Sequence, residues 1–142
     1  VTVNDEQFAR VASKVVEAAG GSVDGKTIAV WGLTFKARTD DLRESPSLEV
    51  IKRLVAQGAH VRAFDPAVHR QLEGIEVVDD PYGACDGAEV LVVLTEWDEF
   101  RWLDFDKVAA ALRQPAVVDA RNLLDRQSLR RRGFTVAGIG RL

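Results

Sequence analysis

Apolar runs alternate along this chain with amphipathic segments of helical period. Residues Thr27 to Trp31 and Glu89 to Leu94 form nearly continuous apolar runs, which are typical of strands that are buried on both faces. The intervening segments carry apolar residues three and four positions apart, as amphipathic helices do. Strands that alternate with helices at these lengths indicate βαβ units. The pattern therefore predicts an α/β fold: a Rossmann-like parallel sheet of five or six strands, flanked by helices and preceded by one N-terminal helix.

The same pattern gives the extent of each element. Strands are predicted over Thr27 to Trp31, His60 to Phe64, Glu76 to Val78, Glu89 to Leu94, Ala116 to Val118 and Phe134 to Ala137. Helices are predicted over Asn4 to Ala19, Pro46 to Gln57, Pro81 to Cys85, Asp104 to Leu112 and Leu123 to Arg132. In the second helix Ser45 is the expected N-cap before Pro46, Gly58 the expected C-terminal glycine, and Glu49 with Arg53 an exposed pair.

A boundary is predicted only around Gly20 to Gly25, which separates a helical segment (1–21) from the α/β domain (22–142). The net charge of -3 gives no reason to expect nucleic acid or a membrane surface as a partner, and no apolar run is long enough for a membrane helix. The single cysteine, Cys85, suits the reducing cytoplasm. Because the chain begins at Val1 and has no methionine, we expect processing of the start or a fragment of a longer protein.

The loop after the first strand is the most informative one. A dinucleotide fingerprint needs three glycines here, spaced GxGxxG, and only Gly32 is present. The loop instead contains Lys36, Arg38 and Arg43 and leads into a helix N-terminus, an arrangement that favours an anion. The alternative is a solvated loop, since acidic residues in the same loop oppose these cations: Asp40, Asp41 and Glu44.

Arg121 directly follows the fifth strand, where its planar guanidinium suits a phosphate or sugar hydroxyls. A structural salt bridge to Asp119 or Asp125 is an equally good interpretation. Asp65 ends the second strand at the position of a ribose-binding acid, although Asp65-Pro66 also fits a simple turn.

The remaining reactive or aromatic residues favour structural roles. Trp97, Phe100 and Trp102 are expected to pack against the domain rather than to form a stacking platform. Cys85 has no histidine nearby in sequence to activate it, which favours a buried structural thiol. His60 and His69 lack the spacing of metal ligands, so the sequence offers no catalytic constellation.

Several segments, taken in order, resemble the C-terminal domain of the UDP-glucose/GDP-mannose dehydrogenase family. They are Gly32-Leu33-Thr34-Phe35-Lys36, Thr39-Asp40-Asp41-Leu42-Arg43-Glu44-Ser45-Pro46-Ser47, Phe64-Asp65-Pro66, Asp80-Pro81-Tyr82, Ala84-Cys85-Asp86-Gly87-Ala88, Thr95-Glu96-Trp97 and Asp119-Ala120-Arg121-Asn122. The opening Asn4-Asp5-Glu6-Gln7 resembles the helical segment that leads into that domain. The stretch Thr95 to Phe100 is more similar to the UDP-glucose branch of the family than to the GDP-mannose branch.

The resemblance implies the oxidation of UDP-glucose to UDP-glucuronate in two hydride transfers with two NAD. It implies that Phe35, Lys36 and Arg121 contact the nucleotide sugar, and that Arg43 reaches the NAD. It also implies that the glycine-rich NAD site, the nucleophilic cysteine and the catalytic lysine lie upstream in an N-terminal domain, and that Cys85 does not match that cysteine. A central helical region would form a homodimer, and this chain alone would bind without turnover.

Two other interpretations remain. The first keeps the family and changes the sugar, to a UDP-N-acetylhexosamine or GDP-mannose. The second is a free-standing receiver-like regulatory domain, suggested by Asp40, Asp41 and Thr95. A receiver, however, needs an aspartate at the end of its third strand and a lysine at the end of its fifth. In this chain Asp79 is a weak match for the aspartate, and Asp119 stands in place of the lysine.

Overall fold

The computed structural model of the protein describes residues 3–34, 41–43 and 45–139. Within these residues the helices are α1 (Val3–Ala18), α2 (Pro46–Ala56), α3 (Pro81–Cys85), α4 (Phe105–Ala111) and α5 (Arg126–Arg131), together with a 3-10 helix at Asp98–Trp102. The strands are β1 (Thr27–Trp31), β2 (His60–Phe64), β3 (Ile75–Val78), β4 (Val90–Val93), β5 (Ala116–Asp119) and β6 (Thr135–Gly138).

The strands form one parallel sheet in the order β3-β2-β1-β4-β5-β6. Val30 of β1 lies opposite Ala63 of β2 on one side and Val92 of β4 on the other. The predicted Rossmann-like parallel sheet of five or six strands is therefore confirmed, and it has six. Because the chain goes outward from β1 in both directions, its connections diverge at the carboxyl ends of β1 and β4, which is where open α/β sheets bind ligands.

Two hydrophobic layers cover the sheet, as the alternation of side chains along a strand requires. Ile28 and Val30 of β1 face the layer made with α1 and α2, whereas Ala29 and Trp31 face the layer made with α3, α4 and α5. All four side chains are fully buried. Burial on both faces explains why the central strands β1 and β4 are apolar runs rather than alternating ones.

Helix α1 packs into the same core as the sheet. Val11 and Val15 are buried in the layer that contains α2. On the outer side of this contact the Arg53 guanidinium lies 5.5 Å from the centre of the Phe8 ring and 3.6 Å from an Asp5 carboxylate oxygen. The division of the chain at residue 21 stays a prediction.

At both ends of α2 the predicted residues are in place. The predicted Glu49–Arg53 pair is present at 3.9 Å, and Gly58 follows the helix with a φ of 94°, a conformation that favours glycine. Ser45 occupies the predicted N-cap position, although its side chain makes no capping hydrogen bond to the helix. Its hydroxyl instead donates to the Leu33 carbonyl at 2.7 Å, which ties the helix to the exit of β1.

Helix α5 begins at Arg126 rather than at the predicted Leu123. The backbone N–H of Leu123 donates to the Asp119 carboxylate, and Asn122 has a φ of 58°, which a right-handed helix does not allow. Asp125 then caps the helix. The buried aspartate therefore converts the expected first turn of the helix into a fixed loop.

Candidate functional site

A cavity opens at the carboxyl ends of β4, β5 and β6, between α1 and the N-terminus of α2. Its described lining comes from α1, α2 and the exits of β4, β5 and β6: Gln7, Phe8, Val11, Pro46, Ser47, Val50, Leu94, Ala120, Arg121 and Ile139. Its volume is about 130 Å³, well below the ~300–1,000 Å³ of complete small-molecule sites. The described cavity is therefore too small to enclose a whole nucleotide.

Gly32, the first residue after β1, lets the exits of β1 and β4 lie in contact. Its φ is 104°, and a Cβ atom added there would lie 2.5 Å from Thr95 Cβ and 2.6 Å from the Thr95 backbone nitrogen. Any larger residue would push the two strand exits apart. The one glycine of this loop thus serves the packing of the switch point.

Asp65, just after β2, is fully buried and holds the backbone that leaves β1. Its Oδ2 accepts hydrogen bonds from the backbone N–H groups of Leu33 at 2.7 Å and Thr34 at 3.1 Å, and its Oδ1 accepts one from Ala67 at 2.8 Å. The interpretation of Asp65 as a turn residue is confirmed. The ribose-binding interpretation is wrong, because this carboxylate is inaccessible and is committed to N–H groups of the protein.

Four buried hydroxyls lie at the root of the loop between β1 and α2: Thr34, Ser45, Ser47 and Thr95. The Thr95 hydroxyl donates to the Thr34 carbonyl at 3.3 Å and lies 3.4 Å from the Ser47 hydroxyl, while Ser45 holds Leu33 as described above. Both ends of the loop are thus pinned to the sheet. Sequence reasoning missed this network, although small hydroxyl residues beside apolar strand ends were a visible signal.

Phe35, Lys36 and Arg38 lie outside the described residues. Arg43 is described: its side chain is 88% exposed, and its Nε lies 3.1 Å from an Asp41 carboxylate oxygen. Hydrogen bonds from Arg43 lower the pKa of Asp41. The expectation that acidic residues oppose the loop cations is therefore confirmed for this pair.

The loop that carries Arg121 is fixed by Asp119, the buried last residue of β5. Asp119 Oδ1 accepts from the Arg121 N–H at 3.1 Å, and Oδ2 accepts from those of Leu123 and Leu124 at 2.9 and 2.8 Å. Asn122 completes the turn with its positive φ. A carboxylate with several N–H donors defines the position of the backbone from which the Arg121 side chain extends.

Arg121 lines the cavity, and its guanidinium donates through Nη2 to the carboxylate of Glu96, which follows β4. The predicted partners Asp119 and Asp125 are therefore wrong: the first binds backbone N–H groups, and the second caps α5 by accepting from Ser128. The Arg121 side chain is 35% exposed. It is thus a cation that is held in place and accessible from the crevice.

The aromatic residues after β4 divide into two groups. Phe100 is buried with its ring centre 5.3 Å from that of Trp31, and Trp97 packs against the same layer, which confirms packing for both. Trp102, at the end of the 3-10 helix, is 80% exposed, so the packing prediction is wrong for it. The 3-10 helix turns Phe100 inward and leaves Trp102 outside, and helical or strand periodicity does not reveal such a turn.

Cys85 is buried, and each of the two histidines pairs with a carboxylate. Cys85 is fully buried, which confirms the prediction of a buried thiol, and this burial raises the pKa of the thiol to about 12. His60 pairs with Glu76 at 2.8 Å, and His69 pairs with Asp79 at 3.0 Å. Among the described residues no three metal-ligating side chains form a group that could hold an ion, and no helix there is long and apolar enough to cross a membrane.

Comparison with known proteins agrees with this geometry. Residues 29–126 match the model of the UDP-glucose/GDP-mannose dehydrogenase family, UDP binding domain. A UDP-glucose 6-dehydrogenase of Rhizobium meliloti is 43% identical over 145 residues, covering 99% of this chain and 33% of the relative. Among solved structures, a UDP-D-ManNAc dehydrogenase of Pyrococcus horikoshii (TM-score 0.78, 28% identity) covers 96% of this chain and 31% of its own. A UDP-glucose dehydrogenase of Pyrobaculum islandicum (TM-score 0.72, 29% identity) matches over 94% of this chain and 29% of its own.

Proposed function

We propose that this chain, which belongs to the UDP-glucose/GDP-mannose dehydrogenase family, is the nucleotide-sugar-binding part of an NAD-dependent UDP-glucose 6-dehydrogenase. It spans about a third of the length of the curated relatives that it matches. The activity of the whole protein is accordingly part of the proposal. The observation that carries the binding function is Arg121, a positioned cation in the lining of a cavity at the carboxyl ends of β4, β5 and β6.

The cavity has the chemistry that a nucleoside diphosphate requires. Arg121 offers a planar fork that can bind phosphate in a bidentate way, and Pro46 and Ser47, at the positive N-terminal end of α2, line the same cavity. Phe35 and Lys36 complete the proposed site from the loop whose two ends are pinned by buried hydroxyls. Each charge-assisted hydrogen bond to the diphosphate would contribute about 1.5–3 kcal/mol.

NAD does not fit this domain as a dinucleotide-binding site. The exit of β1 has one glycine where the fingerprint needs three, and the Asp65 carboxylate already accepts the N–H groups of Leu33 and Thr34. We therefore assign the NAD mainly to an N-terminal domain beyond this chain. The strongly exposed Arg43 would extend from this domain to that cofactor.

In the proposed reaction, the C6 alcohol of UDP-glucose is oxidised to a carboxylate by two hydride transfers to two NAD, with water supplying the second carboxylate oxygen. The thiol nucleophile, the catalytic lysine and a central region that forms a homodimer would belong to the rest of the protein. Cys85 is buried and protonated, so it does not supply that nucleophile. This chain would hold the UDP moiety while the oxidation takes place in the other domains of the protein. We place the whole enzyme in the cytoplasm.

The competing interpretations are weaker for different reasons. A UDP-N-acetylhexosamine remains the main alternative substrate, because solved structures with a similar fold include a UDP-D-ManNAc dehydrogenase; the 43% identity to a UDP-glucose enzyme favours glucose. A receiver domain is contradicted by the strand order, since receivers have the order 2-1-3-4-5 and this sheet is β3-β2-β1-β4-β5-β6.

The direct experiment titrates the purified chain with UDP-glucose, UDP-N-acetylglucosamine, GDP-mannose and NAD in separate calorimetric runs. We expect the two UDP-sugars to bind with similar weak affinity, because this domain contacts mainly the UDP. GDP-mannose should bind less tightly, and NAD should give no heat of binding. Binding of NAD with no binding of UDP-sugars would contradict the proposed function.

A further inference from the structure

Glu96 is the acidic residue that faces Arg121 across the cleft between the exits of β4 and β5. Its side chain is 53% exposed, and it directly follows Thr95, whose buried hydroxyl is bonded to the exit of β1. Its backbone is thus anchored to the sheet on one side of the cleft. The backbone of Arg121 is anchored on the other side by Asp119.

The contact with Glu96 uses one nitrogen of the guanidinium, Nη2. Within the described part of the chain, Glu96 is the acceptor of Arg121 Nη2, whereas an arginine has five N–H donors in a planar fork. Arg121 lines the cavity, and Glu96 is not part of the described lining. Among the described residues the carboxylate therefore contacts the guanidinium without lining the cavity that Arg121 lines.

From this asymmetry we propose that Glu96 is a positioning residue, which holds the Arg121 fork ready for the diphosphate of a nucleotide sugar. The inference rests on the proposed function, because it assumes that the cavity takes a diphosphate. Immobilising an arginine on binding has an entropic cost, and the ion pair meets that cost before the ligand arrives. Repulsion between Glu96 and the diphosphate opposes this effect, but solvent screens a carboxylate that is more than half exposed.

The test compares wild-type chain with Glu96→Gln, Glu96→Ala and a matched control, Asp106→Asn. The control removes the charge from another exposed ion pair, Asp106–Arg132 at 2.8 Å, which joins α4 to the segment after α5 and lines no part of the cavity. The probe is UDP, followed by calorimetry, and the urea midpoint of each variant checks that the fold is intact.

We expect UDP to bind roughly three- to ten-fold more weakly to Glu96→Gln, and at least as weakly to Glu96→Ala, with urea midpoints near that of the wild type. Asp106→Asn should bind UDP like the wild type. In the absence of ligand, the NMR order parameter of the Arg121 Nε–H bond should fall in Glu96→Gln and stay unchanged in Asp106→Asn. A structural role alone would not couple side-chain order to affinity in this way.

The outcomes separate the two proposals. If the wild type binds UDP and Glu96→Gln binds it equally well or more tightly, the positioning inference is overturned and the proposed function stands. An Arg121 order parameter that is the same in wild type and Glu96→Gln also overturns the inference. If the wild type does not bind UDP at millimolar concentration, the proposed function of the chain fails, and the inference fails with it.

Discussion

Replacing Asp119 with asparagine tests how the Arg121 loop is held. The carboxylate is fully buried and accepts three backbone N–H groups, two on Oδ2 and one, from Arg121, on Oδ1. Asparagine has nearly the same shape but only one acceptor oxygen. The best orientation keeps the two bonds to Leu123 and Leu124 and turns the amide NH₂ toward the N–H of Arg121.

The size of the effect follows from this count. One charge-assisted hydrogen bond, of about 1.5–3 kcal/mol, is lost, and the partly buried N–H of Arg121 left without an acceptor adds a penalty that overlaps with this loss. We expect Asp119→Asn to lower the free energy of unfolding by about 2–4 kcal/mol, a large share of the ~5–15 kcal/mol typical of a domain. Because Arg121 loses its backbone anchor, the affinity for UDP should fall as well.

Urea denaturation followed by circular dichroism gives the free energy of unfolding and its denaturant slope. Asp125→Asn is the control, since Asp125 is an exposed cap of α5 that accepts from Ser128 and asparagine caps helices about as well as aspartate. The control should stay within about 0.5 kcal/mol of the wild type. A change equally small for Asp119→Asn would refute the view that its carboxylate holds the loop.

Three further substitutions or probes examine other parts of the structure. Gly32→Ala should destabilise the domain by roughly 2–5 kcal/mol in urea unfolding, because its φ is positive and the new Cβ would overlap Thr95. Cys85 should react with Ellman's reagent at pH 8 far more slowly in the native chain than in urea, since burial raises the pKa of its thiol to about 12. The hydrogen bond to Asp79 raises the pKa of His69. The stabilisation from this pair should therefore be complete below the unfolded-state pKa of about 6.5 and disappear as the pH rises through the folded-state pKa. Urea unfolding of wild type and Asp79→Asn at pH 5.5 and 8.5 measures this loss.

For each of these three predictions, one experimental result would contradict the reasoning. Gly74→Ala is the control for Gly32→Ala, because Gly74 also has a positive φ but no atoms near an added Cβ; equal losses for both would mean that contact with Thr95 has no energetic consequence. Rapid, complete labelling of Cys85 without urea would contradict its burial. A stability difference between wild type and Asp79→Asn that does not change with pH would contradict the role of His69.

The sheet could be predicted from the sequence because its strands are short apolar runs between clear helix and turn signals. The apolar runs of the central strands β1 and β4 are visible in the local sequence, so no long-range information is needed to find them. The last helix was predicted to begin three residues too early. Its true start depends on a bond from Asp119 to the N–H of Leu123, and helical periodicity does not include such a contact.

The candidate site was predicted less completely. The position of Arg121 at the crevice follows from the rule that ligands bind at the carboxyl ends of parallel strands. Its partner Glu96 is 25 residues away in sequence, so only the spatial order of β4 and β5 brings the two together. The role of Asp65 could not be predicted for the same reason. Its carboxylate accepts the N–H groups of Leu33 and Thr34 because the fold brings the exit of β1 close to it.

The central claim is that Arg121 and its cavity form a nucleotide-sugar half-site that does not bind NAD. Calorimetric titration of the chain with UDP-glucose and, separately, with NAD, repeated for Arg121→Ala, tests it most directly. The account predicts binding of UDP-glucose only, weakened roughly ten- to hundred-fold in the variant. Binding of NAD alone, or UDP-glucose binding that is unchanged in Arg121→Ala, would contradict it.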